Sequence, residues 1–236
     1  MLERVLVFSG ISDDHALLDD LPCLQIAPHA EIRLHPVPEG RVDHARAVEL
    51  ARDFKPDFIM VRTTDRNTAW RLASNSSTPV LIIPYAPSGS RRPPPARRIL
   101  APVDSPERAA RVLRALRALG EKVRSEIILF HSSRPVVSVM PSMSCTGVNP
   151  ILVGDDGPDP KLLDLVEDLR SDSTPVRLIV SRGDIVRGIL AYADAVRADM
   201  ILMATAARRS LARFLLGSIS RRVVFAATTA VLLCRP

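Results

Sequence analysis

Aromatic residues make up only 4% of this 236-residue chain, too few for the base-stacking platforms that hold single-stranded nucleic acids. Lysine is nearly missing. Lys55, Lys122 and Lys161 are the only three, so arginine carries almost all of the basic charge behind the net +6. The arginines are scattered over expected helix surfaces, which favours a solvated basic face; phosphate binding comes second and DNA binding a distant third. Cysteine is confined to Cys23, Cys145 and Cys234, with no CxxC and no Cys/His ligand spacing. That excludes a zinc site and a disulfide framework, and is expected of a reducing, cytoplasmic protein. No apolar run approaches the ~18 residues of a membrane span. The chain opens at once on a strand-like run, as expected where there is no signal or transit peptide. The five histidines have no partner pattern, and no Ser/His/Asp or Cys/His arrangement emerges from spacing, so no catalytic or metal site is expected. His131, at the end of an expected strand, reads as structural.

What is present is an ordinary globular composition, 47% apolar and 25% charged. Short apolar runs alternate with stretches of helical period, the pattern of a parallel α/β sheet. In residues 1–88 strands are expected at 4–8, 24–27, 31–35, 57–61 and 79–83, with helices at 13–21, 42–54 and 65–73. Residues 89–96 form the clearest boundary: Pro, Gly and Ser dominate, and Pro93-Pro94-Pro95 stays extended. In residues 97–236 strands are expected at 98–103, 126–131, 175–181, 200–203 and 230–234. Ser105, Pro106 and Glu107 read as N-cap, N1 and first-turn residues of a helix ended by Gly120. Gly183 reads as a turn and Asp184 as the cap of the helix at 185–196. Residues 132–160 read as a long loop, a kind that is commonly functional.

The stretch from Ala198 to Ser220 carries the most information. An apolar strand feeds a small, basic loop, which ends at Gly217-Ser218, where a run of helical spacing begins. Backbone N–H groups and the positive end of the helix dipole make such a terminus a ready anion site. A plain helix cap is the alternative, since Gly and Ser cap helices routinely.

This stretch resembles the signature of the universal stress protein family: Gly, two residues, Gly, nine residues, then Gly-Ser or Gly-Thr. The matching positions are Ala204, Ala207 and Gly217-Ser218. The first two glycines are alanines here, and a methyl group there either narrows the space or forbids a positive φ. Further resemblance lies in Arg98-Ile-Leu-Ala-Pro-Val-Asp-Ser105, in Val180-Ser-Arg-Gly-Asp184 and in Ala198-Asp-Met-Ile-Leu-Met203. The halves also resemble each other: residues 56–61 match 198–203 at an offset of 142, and 77–83 match 228–234 at 151. The first half is therefore nine residues shorter where the phosphate loop would lie.

The resemblance implies two tandem doubly wound parallel sheets of the flavodoxin or Rossmann-like kind, five-stranded with flanking helices. Residues 1–88 would be a degenerate domain without the phosphate loop, and 97–236 a complete one. Their last strands would pair across a pseudo-twofold axis as an intramolecular dimer, with a homodimer of whole chains left open. The implied cofactor is ATP or AMP with Mg²⁺. Pro102, Val103 and Asp104 would lie against the nucleoside and the Val180 backbone against the adenine. Ala204, Ala207, Arg208, Gly217, Ser218, Ile219 and Ser220 would surround the phosphates. For Asp104 a cap or turn role stands beside the binding role. The implied function is a stress-response regulator, not an enzyme beyond weak ATP hydrolysis. A scaffold of the same fold that binds no nucleotide remains the alternative, with partners unnamed in either case and neither nucleic acid nor membrane among them.

Overall fold

Strands as apolar as residues 58–61 or 230–234 must be covered on both faces. The computed structural model meets that demand with helices on each side of one sheet. It describes residues 2–9, 26–37, 42–84, 97–119, 125–133, 137–138, 151–152, 160–171, 175–204 and 217–234. The expected helix at 13–21, the linker at 89–96, Gly120, Cys23, Cys145, Ala207 and Arg208 lie outside the described residues.

In chain order the elements are β1 (Leu2–Ser9), β2 (Ile26–Pro36), α1 (His44–Phe54), β3 (Phe58–Thr63), α2 (Arg66–Asn75) and β4 (Val80–Pro84). Then follow β5 (Arg98–Val103), α3 (Pro106–Leu119), β6 (Glu126–Ser133), β7 (Val137–Ser138), β8 (Ile151–Leu152) and α4 (Pro160–Ser171). The chain closes with β9 (Val176–Arg182), α5 (Ile185–Ala195), β10 (Met200–Ala204), α6 (Ser218–Ala226) and β11 (Ala230–Cys234).

Nine strands form a single sheet in the order β2-β1-β3-β4-β11-β10-β5-β6-β9. Every neighbouring pair is parallel except β4 and β11, which run antiparallel with Leu81 opposite Leu232. The last strands of the two halves pair as expected, so the two sheets run on as one, with four strands in the first half rather than five. The two short strands expected at 24–27 and 31–35 are one strand, β2. Pro28 does not divide it, because it falls in the irregular stretch between Ile26 and Glu31, where the register against β1 shifts between Leu2 and Arg4 and β2 carries the extra residues. Part of the long loop expected at 132–160 is also ordered: β6 runs on to Ser133, and β7 pairs antiparallel with β8.

Alternate side chains of each strand enter opposite faces. One core holds Leu6, Ile59, Ile82, Leu100, Ile201 and Val231 under α1, α2, α6 and α5. The other holds Ala101, Val103, Leu129, Leu202 and Leu232 under α3 and α4. Helix starts follow side-chain capping. Asp43 accepts from the Ala45 and Arg46 N–H groups, so α1 begins at His44 rather than at Val42. Asp65 accepts from Asn67 and Thr68 at the start of α2. Gly183 takes φ +104° at the turn into α5, a conformation open to glycine at little cost.

The expected offsets recur in local structure. Asp57 Oδ2 accepts from Glu3 N and Arg4 N, and Asp199 Oδ2 accepts from Arg97 N and Arg98 N, all at 2.9–3.0 Å. Lys55 and Arg197, the residues two positions before these aspartates, both take left-handed backbone with φ of 48° and 50°. Thr78 Oγ1 donates to Pro56 O, and Thr229 Oγ1 to Ala198 O. No helix among the described residues is long and apolar enough to cross a membrane.

Candidate functional site

Open α/β sheets bind ligands beyond the carboxyl ends of their strands, at the point where the strand order reverses. From residue 97 onward that point lies between β5 and β10. These two strands pair at only two positions, Ile99 with Met200 and Leu100 with Ile201. Beyond them β5 continues its ladder with β6 alone, as far as Val103 opposite His131. Likewise β10 continues with β11 alone, as far as Ala204 opposite Cys234.

The end of the β5–β10 ladder can be traced to one residue. Backbone groups along a strand face alternate neighbours. Asp199 N donates to Arg98 O, so Arg98, Leu100 and Pro102 turn their backbone groups toward β10. Pro102 has no N–H to give, and the ladder stops there. In the first half the corresponding strands, β1 and β3, stay paired for two further positions, through Phe8 and Val61. Phe8 stands where Pro102 does, with its N–H intact.

Asp104 is the first residue past β5. Its side chain is 57% exposed, and its Oδ1 lies 2.9 Å from Nε of Arg108, one turn into α3. The cap of α3 is Ser105, whose Oγ accepts from Arg108 N, so Asp104 is an ion-paired residue rather than a cap. Val103 is buried, and its carbonyl accepts from Nδ1 of His131 at 3.2 Å. His131 is thereby tied to the end of β5. Val180 is not brought to Val103. It lies on the edge strand β9 with His131 between them in register, two strands or roughly 10 Å away. Since Ile127 N donates to Pro175 O, the odd residues of β9 face β6, and the backbone of Val180 faces the open side of the sheet. Ser132 was missed by the sequence reading. Counting from Glu126 N, which donates to Arg97 O, Ser132 turns its backbone toward β5 one position past Val103.

Ala204 is the last residue of β10 and is 5% exposed, with its methyl in the core beneath α3. Among the described residues only Lys55, Arg197 and Gly183 have positive φ. Ala204 therefore carries no left-handed strain, and of the two anticipated costs only the loss of space applies to it.

At the far side of the crevice α6 begins. Gly217 is its N-cap, with φ −62°, and among the described residues no side chain caps the first turn. The first intrahelical bond is Arg221 N to Gly217 O, so the N–H groups of Ser218, Ile219 and Ser220 precede the ladder. Ser218 is exposed, Ile219 half-buried and Ser220 buried. A Cβ on Gly217 would meet nothing within 4 Å among the described residues. Neither its backbone conformation nor its packing against the described residues calls for glycine. Arg221 lies over the Phe225 ring, and Arg222 lies 3.5 Å from Asp184.

The profile of the universal stress protein family matches residues 95–235. The chain belongs to that family. No curated protein matches it in sequence. Among solved structures it is similar to a universal stress protein from Archaeoglobus fulgidus DSM 4304, at TM-score 0.60 and 14% identity, over 98% of this chain and 96% of that one. It is also similar to a protein of unknown function from Pseudomonas aeruginosa PAO1, at TM-score 0.52 and 15% identity, over 99% and 82%. At these identities the likeness is one of fold.

The family profile leaves the first 94 residues unmatched, and their chemistry differs at the corresponding place. Only Thr64 and Asp65 separate β3 from α2. The Asp65 carboxylate accepts from the Asn67 and Thr68 backbones and from Thr68 Oγ1. Negative charge thus already occupies that helix terminus and would repel a phosphate. Among the described residues no group of three or more His, Cys, Asp or Glu gathers as a metal site. A Mg²⁺ ion here would arrive with the phosphates that bind it.

Proposed function

We propose that this universal stress protein binds an adenine nucleotide, ATP or AMP with Mg²⁺, in the crevice between β5 and β10. We propose also that residues 1–88 are a degenerate copy of the domain at 97–236, without a nucleotide site. The observation that carries the reading is the end of the β5–β10 ladder at Leu100 beside a helix terminus where, among the described residues, no side chain caps the first turn. Past that point the two strand ends exchange no ladder bonds, so a planar base and a ribose can lie over them. The α6 N–H groups and dipole suit the phosphates, and the open space at Gly217 lets them approach the backbone. Pro102 and Val103 would line the nucleoside, Asp104 its ribose hydroxyls, and Gly217, Ser218, Ile219 and Ser220 the phosphates, with Ala204, Ala207 and Arg208 beside them. The adenine edge falls to the backbone of Ser132 rather than of Val180, because Ser132 faces the crevice. Nucleotide occupancy would then alter contacts with protein partners, in a cytoplasmic regulator that is not an enzyme.

The buried Ala204 methyl at the end of β10 favours a second reading, in which the crevice is too narrow and the chain acts as a nucleotide-free scaffold. Calorimetric titration with ATP and Mg²⁺ separates the two. Micromolar binding that Asp104→Ala abolishes supports the nucleotide reading. A silent wild type beside a binding Ala204→Gly/Ala207→Gly variant supports the scaffold. Silence in both sinks the placement of the site.

A further inference from the structure

We infer that Arg108 is a positioning residue, which holds the Asp104 carboxylate toward the crevice so that the site distinguishes ribose from deoxyribose; this rests on the nucleotide reading above.

The first observation is an arginine in the wrong place for its helix. Ser105 caps α3, and Arg108 is three residues on, where Glu or Gln would complete a capping box. A cation in the first turn also opposes the helix dipole. The local rules of helix formation therefore give no reason for Arg108. Its side chain is about one-third exposed and is directed back to Asp104 through a single Nε–Oδ1 contact of 2.9 Å.

The second observation is that the pair is not part of the fold. The fold-serving carboxylates of Asp57 and Asp199 occur in both halves, whereas this pair does not. The strand register sets β1 against β5 at an offset of 94, since Val5 pairs with Phe58 as Ile99 does with Met200. Counted at that offset, the sequence has Gly10 against Asp104 and Asp14 against Arg108. The pair is confined to the half that has the open crevice.

The chemistry follows from the valence of a carboxylate. It has two oxygens and about four acceptor sites, so one clamped at Oδ1 can still accept from a ribose diol. Unclamped, a side chain that is 57% exposed would spread over several rotamers and have to be ordered by the ligand.

The test is titration of the full chain with ATP and with 2′,3′-dideoxy-ATP, each with Mg²⁺, for wild type, Arg108→Met and Arg108→Lys. Wild type should prefer ATP by about tenfold, the scale of hydrogen bonds to a charged acceptor. Arg108→Met should lose most of that preference by weakening ATP alone, and Arg108→Lys should restore part of it. An unchanged ratio, with both ligands weakened alike, overturns the inference and leaves the site standing. So does a ratio that rises, because Arg108 would then compete with the ribose. If wild type binds neither nucleotide, the crevice reading itself falls. Thermal melts of the variants show whether any loss reflects unfolding.

Discussion

Pro102 shows how one missing N–H can decide whether two strands zip or part. Its backbone faces β10, and the β5–β10 ladder ends at Leu100. Pro102→Ala restores the donor and lets the strands close toward Met203. The new hydrogen bond would contribute about 1 kcal/mol. Losing the proline releases unfolded-state entropy that costs about 0.4–1 kcal/mol. These nearly cancel, so the melting temperature should barely move. Nucleotide affinity should fall instead, and the new amide at 102 should be protected from hydrogen exchange. A variant that binds ATP as well as wild type, with a fast-exchanging amide at 102, would remove Pro102 from the account.

At the scale of the element, what matters is how each helix begins. α1, α2 and α5 start on an aspartate that accepts from the first turn, and α3 starts on Ser105. α6 starts on Gly217 with no such acceptor. Gly217→Asp supplies one, and by the difference between Asp and Gly caps it should stabilise α6 by a few tenths of a kcal/mol. The same carboxylate would occupy the terminus, as Asp65 does in α2, and ATP binding should disappear from the calorimeter while the fold stays intact. α5 offers a test by pH. The Arg187 N–H that Asp184 accepts holds its carboxyl below the ordinary value of 3.8; partial desolvation opposes this and nearby Arg222 assists it. A depressed folded value means that the cap stabilises above the unfolded pKa and is lost as pH falls through the folded one. Hydrogen-exchange protection of the first turn of α5 should therefore weaken below about pH 4, and Asp184→Asn should remove that acid dependence. Most of these starts were legible in the sequence: Ser105-Pro106-Glu107, Gly183-Asp184 and Gly217-Ser218 carry their chemistry locally. The errors came where the decisive partner is distant. Pro28 reads as a strand break until the register shift that holds it is known. Val180 reads as a crevice residue until β9 is known to lie beyond β6. Ser132 becomes visible only when alternation is counted from a ladder bond.

Over the whole molecule, the lone antiparallel contact joins what would otherwise be two sheets. Outward from the seam the order is β4, β3, β1, β2 on one side and β11, β10, β5, β6, β9 on the other. The order on one side thus matches the order on the other strand for strand, with β9 as an extra strand. The seam is held in two layers. In the nine-stranded sheet, where this is the one antiparallel pairing, Val231, Leu232 and Leu233 face Ile82, Leu81 and Val80, and all six are at most 3% exposed. Above it, Arg66 at the start of α2 donates to the carbonyls of Val224 and Phe225 at the end of α6, at 3.0 and 2.8 Å. That guanidinium satisfies carbonyls that a helix end leaves without partners, and it complements the negative end of the dipole. Removing the first half would strip both layers and leave β11 as a long apolar edge, a template for another strand. A fragment of residues 97–236 should therefore self-associate through β11 in sedimentation equilibrium, with a second copy taking the place of β4. Leu232→Lys, a charge placed in the face buried at that seam, should return the fragment to a monomer or unfold it. A wild-type fragment that stays monomeric and melts as the full chain does would mean that the two halves are stable apart, and that the first is a passenger rather than the cover of this edge.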